Sequence, residues 1–120
     1  MKKIAFTTSG QNLDSAMDPR FGRAAHFLIY DLKQGTFELV DNQQGRNAAQ
    51  GAGIQAAETI VRAGVAALVT GHCGPKAFKV LDSAGVAVYN CNETTVDGAL
   101  TAFRADTLTR ASASDVGGHW

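Results

Sequence analysis

A four-residue pattern occurs twice in the chain and constrains the fold more than any other feature. Residues 63–66 and residues 84–87 both read Ala-Gly-Val-Ala. In each case an amphipathic helical pattern ends at the glycine, the usual residue just beyond a helix C-terminus. The apolar run that follows is typical of a strand buried on both faces. Two such units in succession predict parallel strands joined by a right-handed crossover.

The segments around this repeat complete an α/β sheet. Residues 2–8 predict a first strand, and residues 26–31 and 36–41 predict a hairpin closed by a turn at residues 33–35. A motif resembling a capping box at residues 94–97 begins a helix. The hairpin must lie on the other side of strand 1 from the parallel pair. We therefore predict a five-stranded mixed sheet in the order 3-2-1-4-5, with strand 2 antiparallel and about three helices.

Length and charge limit the classes of function. The 120 residues are enough for one hydrophobic core, and we predict one α/β domain over residues 1–108 and a flexible tail over residues 109–120. The formal net charge is zero, whereas nucleic-acid-binding proteins usually carry a basic excess. No apolar run is long enough to span a bilayer, and the N-terminus does not resemble a secretion signal. We predict a cytoplasmic protein that binds neither nucleic acid nor membranes.

A ligand site is predicted where the strand order reverses. In open α/β sheets ligands bind beyond the carboxyl ends of the parallel strands at that point, which here lies between strands 1 and 4. Residues 8–12, 71–74 and 90–92 all leave the sheet at this edge. The site would thus gather Asn12, His72, Cys73 and Cys91. Thiolate and imidazole groups bind soft metals, but two cysteines without a CxxC pair exclude a site built from four cysteines.

The same edge has features that favour an anion. Gly71 and Gly74 let backbone N–H groups approach a ligand, and the helix that begins at Pro75 directs its positive end there. Arg20 and Arg23, in a long polar loop, are candidate anion clamps. We also expect the helix N-terminus to lower the pKa of the Cys73 thiol and make it reactive.

Each of these assignments has a structural alternative. Cys91 fits equally well as a small residue at a strand end, the two cysteines have plausible geometry for a disulfide, and the arginines fit equally well as partners of acidic side chains alone. His26, at the start of a strand, and His119, in the predicted tail, are further candidate metal ligands. Their alternatives are a packed or edge histidine and a disordered tail residue. Residues 71–76 lack the spacing of a phosphate-binding loop, which argues against nucleoside triphosphate binding.

Three segments resemble one protein family. They are residues 15–24 (SAMDPRFGRA), residues 51–57 (GAGIQAA) and residues 65–89, which include TGHCGPKAF. Together they resemble the dinitrogenase iron–molybdenum cofactor biosynthesis family over about residues 3–108. The resemblance implies an α/β fold of ribonuclease H-like topology. It also implies binding of iron–molybdenum cofactor or its precursors, and small stand-alone members hold a molybdenum–copper sulfide cluster.

The resemblance thus implies a carrier or storage protein for an anionic molybdenum-containing metal–sulfur cluster, with no enzymatic activity. Its partner would be a protein that receives the cluster or forms a complex with the carrier. From the residues themselves we assign Asn12, Arg20, Arg23, Gly71 and Gly74 to cofactor binding. The candidate metal ligands are His26, His72, Cys73, Cys91 and His119.

Three other functions remain as alternatives. A nuclease of the ribonuclease H type needs clustered carboxylates that include one on strand 1, and residues 2–8 contain none. An interaction module would dock on a larger complex, with residues 36–41 offering an edge for strand pairing and the cluster incidental. A thiol redox sensor would use Cys73 and Cys91.

Overall fold

The strands of the protein form a mixed sheet. The computed structural model describes residues 3–42, 51–92 and 94–112. In these ranges the strands are β1 (Lys3–Thr8), β2 (His26–Asp31), β3 (Thr36–Asp41), β4 (Ala67–Thr70), β5 (Ala87–Asn90) and β6 (Thr109–Arg110). They belong to one sheet in the order β3-β2-β1-β4-β5-β6. The helices there are α1 (Ala52–Ala63), α2 (Pro75–Ser83) and α3 (Val96–Arg104).

The pairing confirms most of the predicted topology. Strand β1 pairs antiparallel with β2 and parallel with β4, and β4 pairs parallel with β5. The predicted number of strands was wrong, because β6 adds a sixth strand antiparallel to β5. Both residues of β6 are exposed, and a strand this short has no apolar alternation to read from the sequence. The ribonuclease H-like assignment and the boundary at residue 108 stay predictions.

The two glycines of the repeated pattern have the backbone conformation that the pattern predicts. Gly64 has φ of 73° after α1, and Gly85 has φ of 81° just beyond α2. These left-handed values suit glycine because it has no Cβ. The helices end there, and the chain turns back into β4 and β5.

Two hydrophobic clusters cover the faces of the sheet. Because side chains alternate along a strand, Ala5 packs with α1 and α2 whereas Ile4 and Phe6 pack with α3. The side chains of Ile4, Ala5 and Phe6 are completely buried, and burying a large apolar side chain stabilises a fold by about 1.5–3 kcal/mol. These buried side chains therefore anchor β1 at the centre of the sheet, just before the chain enters the site loop.

Within the described ranges, no helix is both long enough and apolar enough to cross a membrane.

Candidate anion-binding site

The long polar loop after β1 is tied down across the carboxyl edge of the sheet. Ser9 N–H donates to the Ala16 carbonyl at 3.2 Å, and Asp18 N–H donates to the Thr7 carbonyl at 2.9 Å. On the other side Met17 N–H donates to the Thr94 carbonyl at 3.0 Å. The loop is thus anchored both to β1 and to the segment that leads into α3.

This loop joins the glycine loop that follows β4. His72 N–H donates to the Pro19 carbonyl at 2.8 Å, and Phe21 N–H donates to the His72 carbonyl at 3.2 Å. These bonds form a bridge that sets Arg20 beside His72. A Cβ atom on Gly71 would lie 2.6 Å from Pro19 Cα, so only glycine permits this approach. The structure therefore brings together two segments that the sequence assigned to one site.

A buried polar network holds Arg20 in position. The Thr7 hydroxyl donates to the Asp18 carbonyl at 2.7 Å and is hydrogen-bonded with the Thr70 hydroxyl at 3.0 Å. The Asp18 carboxylate accepts from Arg20 N–H at 2.9 Å, and its Oδ1 atom lies 3.8 Å from Arg20 Nε. The Arg20 side chain nevertheless remains 70% exposed. Its ion pair is long, so the guanidinium stays available to a ligand.

Asn42 positions the neighbourhood of Arg23 and was not among the residues predicted from the sequence. Its Nδ2 atom donates to the Gly22 carbonyl at 3.2 Å and to the Ala24 carbonyl at 2.8 Å. A Cβ atom on Gly22 would lie 2.9 Å from Gly53 N, so this part of the loop rests on the first turn of α1. Because Asn42 follows an edge strand and lies far along the chain from its acceptors, no local pattern revealed its role.

Helices α1 and α2 begin side by side beneath these loops. A Cβ atom on Gly53 would lie 3.4 Å from the Ala77 Cβ atom, which places the two first turns in contact. Neither helix has a side-chain N-cap or an acidic residue in its first turn. By contrast, α3 is capped by the Thr95 hydroxyl, which accepts from Gly98 N–H at 3.0 Å, and it has Asp97 in its first turn.

These features make one end of the sheet electropositive. The first turn of a helix carries N–H groups without intrahelical partners and a partial positive charge. Two such turns meet here, next to cationic and imidazole side chains. We use the name basic edge for the first turns of α1 and α2 together with Arg20, Arg23, His72 and Lys76. An arrangement of this kind suits an anionic ligand.

The two cysteines lie at the same edge but in different hydrophobic clusters. Cys73 packs with α1 and α2, whereas Cys91 packs with α3. Both are buried, with 2% and 5% exposure, and both are thiols, not a disulfide. The topology does bring the ends of β4 and β5 together, but the side chains there leave the sheet in opposite directions.

The expected activation of Cys73 is wrong. Burial raises the pKa of its thiol from 9.0 to about 12, because removal from water disfavours the thiolate. The Sγ atom instead donates to the Gly74 carbonyl at 3.7 Å. Desolvation therefore disfavours the thiolate of Cys73, which is the reactive form.

Asn12 and His26, the other candidate residues in the described ranges, are positioned by other contacts. The backbone N–H of Asn12 donates to the Ser15 hydroxyl at 3.0 Å. The carbonyl of the neighbouring Leu13 accepts from the Asp97 N–H in the first turn of α3. His26 pairs with Thr8 at the start of β2, and its Nδ1 atom is buried without a hydrogen-bond partner among the described residues. His119 lies outside the described residues.

The structure therefore does not gather the predicted metal ligands into one group. Among residues 3–42, 51–92 and 94–112, no three His, Cys, Asp or Glu side chains are close enough to hold a metal ion. The ligand roles of His26, His72, Cys73, Cys91 and His119 stay predictions, as do the cofactor-binding roles of Asn12, Arg20, Arg23, Gly71 and Gly74.

Known proteins with similar sequence and structure identify the family. The family model described as dinitrogenase iron-molybdenum cofactor matches residues 1–106. The apo form of the orange protein from Desulfovibrio gigas is similar, with 41% identity, a TM-score of 0.90 and coverage of 93% of this chain and 94% of that one. A NifB-like protein from Thermotoga has 35% identity, a TM-score of 0.80 and coverage of 92% and 93%.

A curated protein is also similar to this chain. An uncharacterised protein of Methanocaldococcus jannaschii is 32% identical over 93 residues, which cover 75% of this chain and 78% of that protein. The match to the family model spans nearly the whole chain. The chain therefore belongs to the dinitrogenase iron-molybdenum cofactor family.

Proposed function

We propose that this protein binds and carries, or stores, an anionic molybdenum-containing metal–sulfur cluster and is not an enzyme. The cargo would be a molybdenum–copper sulfide cluster or a precursor of iron–molybdenum cofactor. Membership of the family and the similarity to the orange protein support a link to such clusters. The single observation that carries the proposal is the basic edge, where two helix N-termini without side-chain caps lie next to the loop that contains Arg20 and Arg23.

The donor groups of the basic edge fit an anion held by charge and hydrogen bonds. Guanidinium groups and backbone N–H groups donate to sulfide or oxide ligands on the surface of a cluster. His72 is exposed beside Arg20, so it is the candidate metal ligand best placed to reach a cargo there. Cys73 and Cys91 fit less well, because both are buried and belong to different clusters. We therefore infer that cysteine ligation is not required.

Among the alternative functions, only the interaction module has a specific observation in its favour. A redox sensor needs two thiols that can meet, and the two cysteines face different sides of the sheet. An interaction module is favoured by β3, which forms one edge of the sheet and has Phe37 and Leu39 exposed at 39% and 37%. Strand pairing at this edge is compatible with a carrier that delivers its cargo to another protein.

Reconstitution tests the proposed function. We expect the ligand-free protein to form a coloured complex of fixed stoichiometry with tetrathiomolybdate and copper, measured by visible absorption after desalting. The double variant Arg20→Glu/Arg23→Glu should bind at least tenfold more weakly, since each charge-assisted hydrogen bond contributes about 1.5–3 kcal/mol. The matched control is Arg110→Glu, an exposed arginine on β6, which should bind as the wild type does.

Cysteine variants decide how the cluster is held. Cys73→Ala and Cys91→Ala should both retain the coloured complex if charge and hydrogen bonds hold it. Loss of colour in either folded variant would make that cysteine a ligand and contradict the inferred mode of binding. If the wild type binds neither this cluster nor an iron–molybdenum precursor, the proposed function itself fails.

A further inference from the structure

A groove runs along the outer surface between α1 and α2, away from the sheet. Its volume is about 680 Å³. Val61 of α1 and Val80 of α2 form its apolar part, and charged side chains from both helices line it, notably Arg62, Lys76 and Lys79. Val61 is 37% exposed, as is Ile54 two turns earlier on the same helix. Two large apolar side chains of α1 thus face solvent.

The shape of the groove suits a helix. It extends along α2 from Lys76 to Ala84, a distance of about 12 Å at 1.5 Å per residue. A groove that is open to solvent over two turns cannot enclose most of a small molecule, as ligand pockets do. It can take the apolar face of an amphipathic helix, whose anchors recur at i, i+3 or i+4 and i+7.

The charged side chains of the groove favour a partner that carries negative charge. Arg62, Lys76 and Lys79 contribute three cations, against one carboxylate from Glu58. In the part of the chain that the structure describes, neither lysine forms an ion pair with a carboxylate. Cations on both sides of an apolar strip are complementary to a helix with acidic residues on both flanks of its apolar face.

We propose that the α1–α2 groove docks an acidic amphipathic helix of a partner protein. Because Lys76 belongs to both the groove and the basic edge, the docked partner would lie next to any bound cargo. The proposal goes beyond cluster binding and does not depend on it. An anionic membrane is the less favoured occupant, since none of the described residues that line the groove is aromatic.

A peptide titration tests the docking site. The probe is a 14-residue synthetic helix with leucines at i, i+3, i+7 and i+10 and glutamates on both flanks. The matched control peptide has lysine at every glutamate position. Added to the ¹⁵N-labelled full-length protein, the glutamate peptide should shift amide signals of residues 58–62 and 76–84 and bind at least tenfold more tightly than the lysine peptide.

A variant with reversed charges in the groove provides a second test of the docking site. The variant Arg62→Glu/Lys79→Glu changes exposed side chains only and should reverse the preference in favour of the lysine peptide. It should still load the cluster as the wild type does, which separates this test from that of the proposed function. Arg110→Glu, outside the groove, should keep the wild-type preference.

Three outcomes would overturn the docking proposal. Equal affinity of the two peptides would show that charge does not determine which helix binds. Shifts confined to β3 or to the loops of the basic edge would place the binding elsewhere. Binding of the protein to phosphatidylglycerol vesicles, with no binding of the glutamate peptide, would make this face a membrane surface instead.

Discussion

His72 and Cys73 are neighbours in the chain, but the structure gives them opposite chemical roles. The backbone of His72 bridges to Pro19 and Phe21, and its side chain is exposed, whereas Cys73 is buried in the cluster beneath α1 and α2. The glycine loop therefore exposes its imidazole and keeps its thiol inside. This division explains why a cysteine beside a helix N-terminus is not activated.

Cys73 should resist alkylation in the folded protein. With a pKa of about 12, only about one thiol in 10⁴ is ionised at pH 8, and the thiolate is the reactive form. In a Cys91→Ala background, we expect iodoacetamide to modify Cys73 at least 100-fold more slowly in the native protein than in urea. Mass spectrometry measures both rates, and comparable rates would contradict the burial of this thiol.

The same shift predicts a loss of stability at alkaline pH. Because the folded pKa lies above the unfolded value of 9.0, the contribution of Cys73 to stability is complete below pH 9 and declines as the pH rises toward 12. The decline approaches about 1.4 kcal/mol per pH unit. Urea unfolding between pH 9 and 11 should show this extra slope in the wild type and not in Cys73→Ala.

At the scale of elements, the candidate site depends on a close contact between two loops. A Cβ atom on Gly71 would meet the Pro19 backbone at 2.6 Å, whereas a Cβ atom on Gly53 would meet only the Ala77 Cβ atom, at 3.4 Å. We expect Gly71→Ala to lower the free energy of unfolding by about 1–3 kcal/mol, because its Cβ would displace a backbone. It should also weaken cluster binding by moving Arg20.

Gly53→Ala is the matched control for this contact. Its Cβ would make an ordinary van der Waals contact at 3.4 Å, and alanine favours a helix over glycine by up to about 1 kcal/mol. We expect this variant to be as stable as the wild type or slightly more stable in urea unfolding. If Gly71→Ala proves equally stable, the two loops do not approach as closely as described.

The repeated glycine pattern was enough to predict the central topology. Gly64 and Gly85 mark two helix ends. From them we predicted the parallel strands β1, β4 and β5 and the edge of the sheet where the loops converge. Three features had no such signal. The directions of Cys73 and Cys91 depend on how the chain leaves each strand, the pKa of Cys73 depends on packing, and Asn42 acts on carbonyls 18 and 20 residues away.

At the scale of the whole molecule, a formal net charge of zero conceals an uneven distribution of charge. The basic edge collects cations and helix N-termini at one end of the sheet, and the α1–α2 groove continues from it along the outer surface. Attraction of the proposed anionic cargo would therefore be local, because exposed charges are screened at physiological ionic strength over about 8 Å. Selectivity must come from groups in contact with the cargo.

Metal analysis of the protein from its own host tests the central claim most directly. The wild type and the Arg20→Glu/Arg23→Glu variant would be produced in that host, purified without oxygen and analysed for molybdenum, copper, iron and sulfide. We predict molybdenum and sulfide in a fixed ratio to the wild-type protein and at least tenfold less in the variant. Absence of molybdenum from the wild type, or equal amounts in the two proteins, would contradict a cluster carrier that binds its cargo at the basic edge.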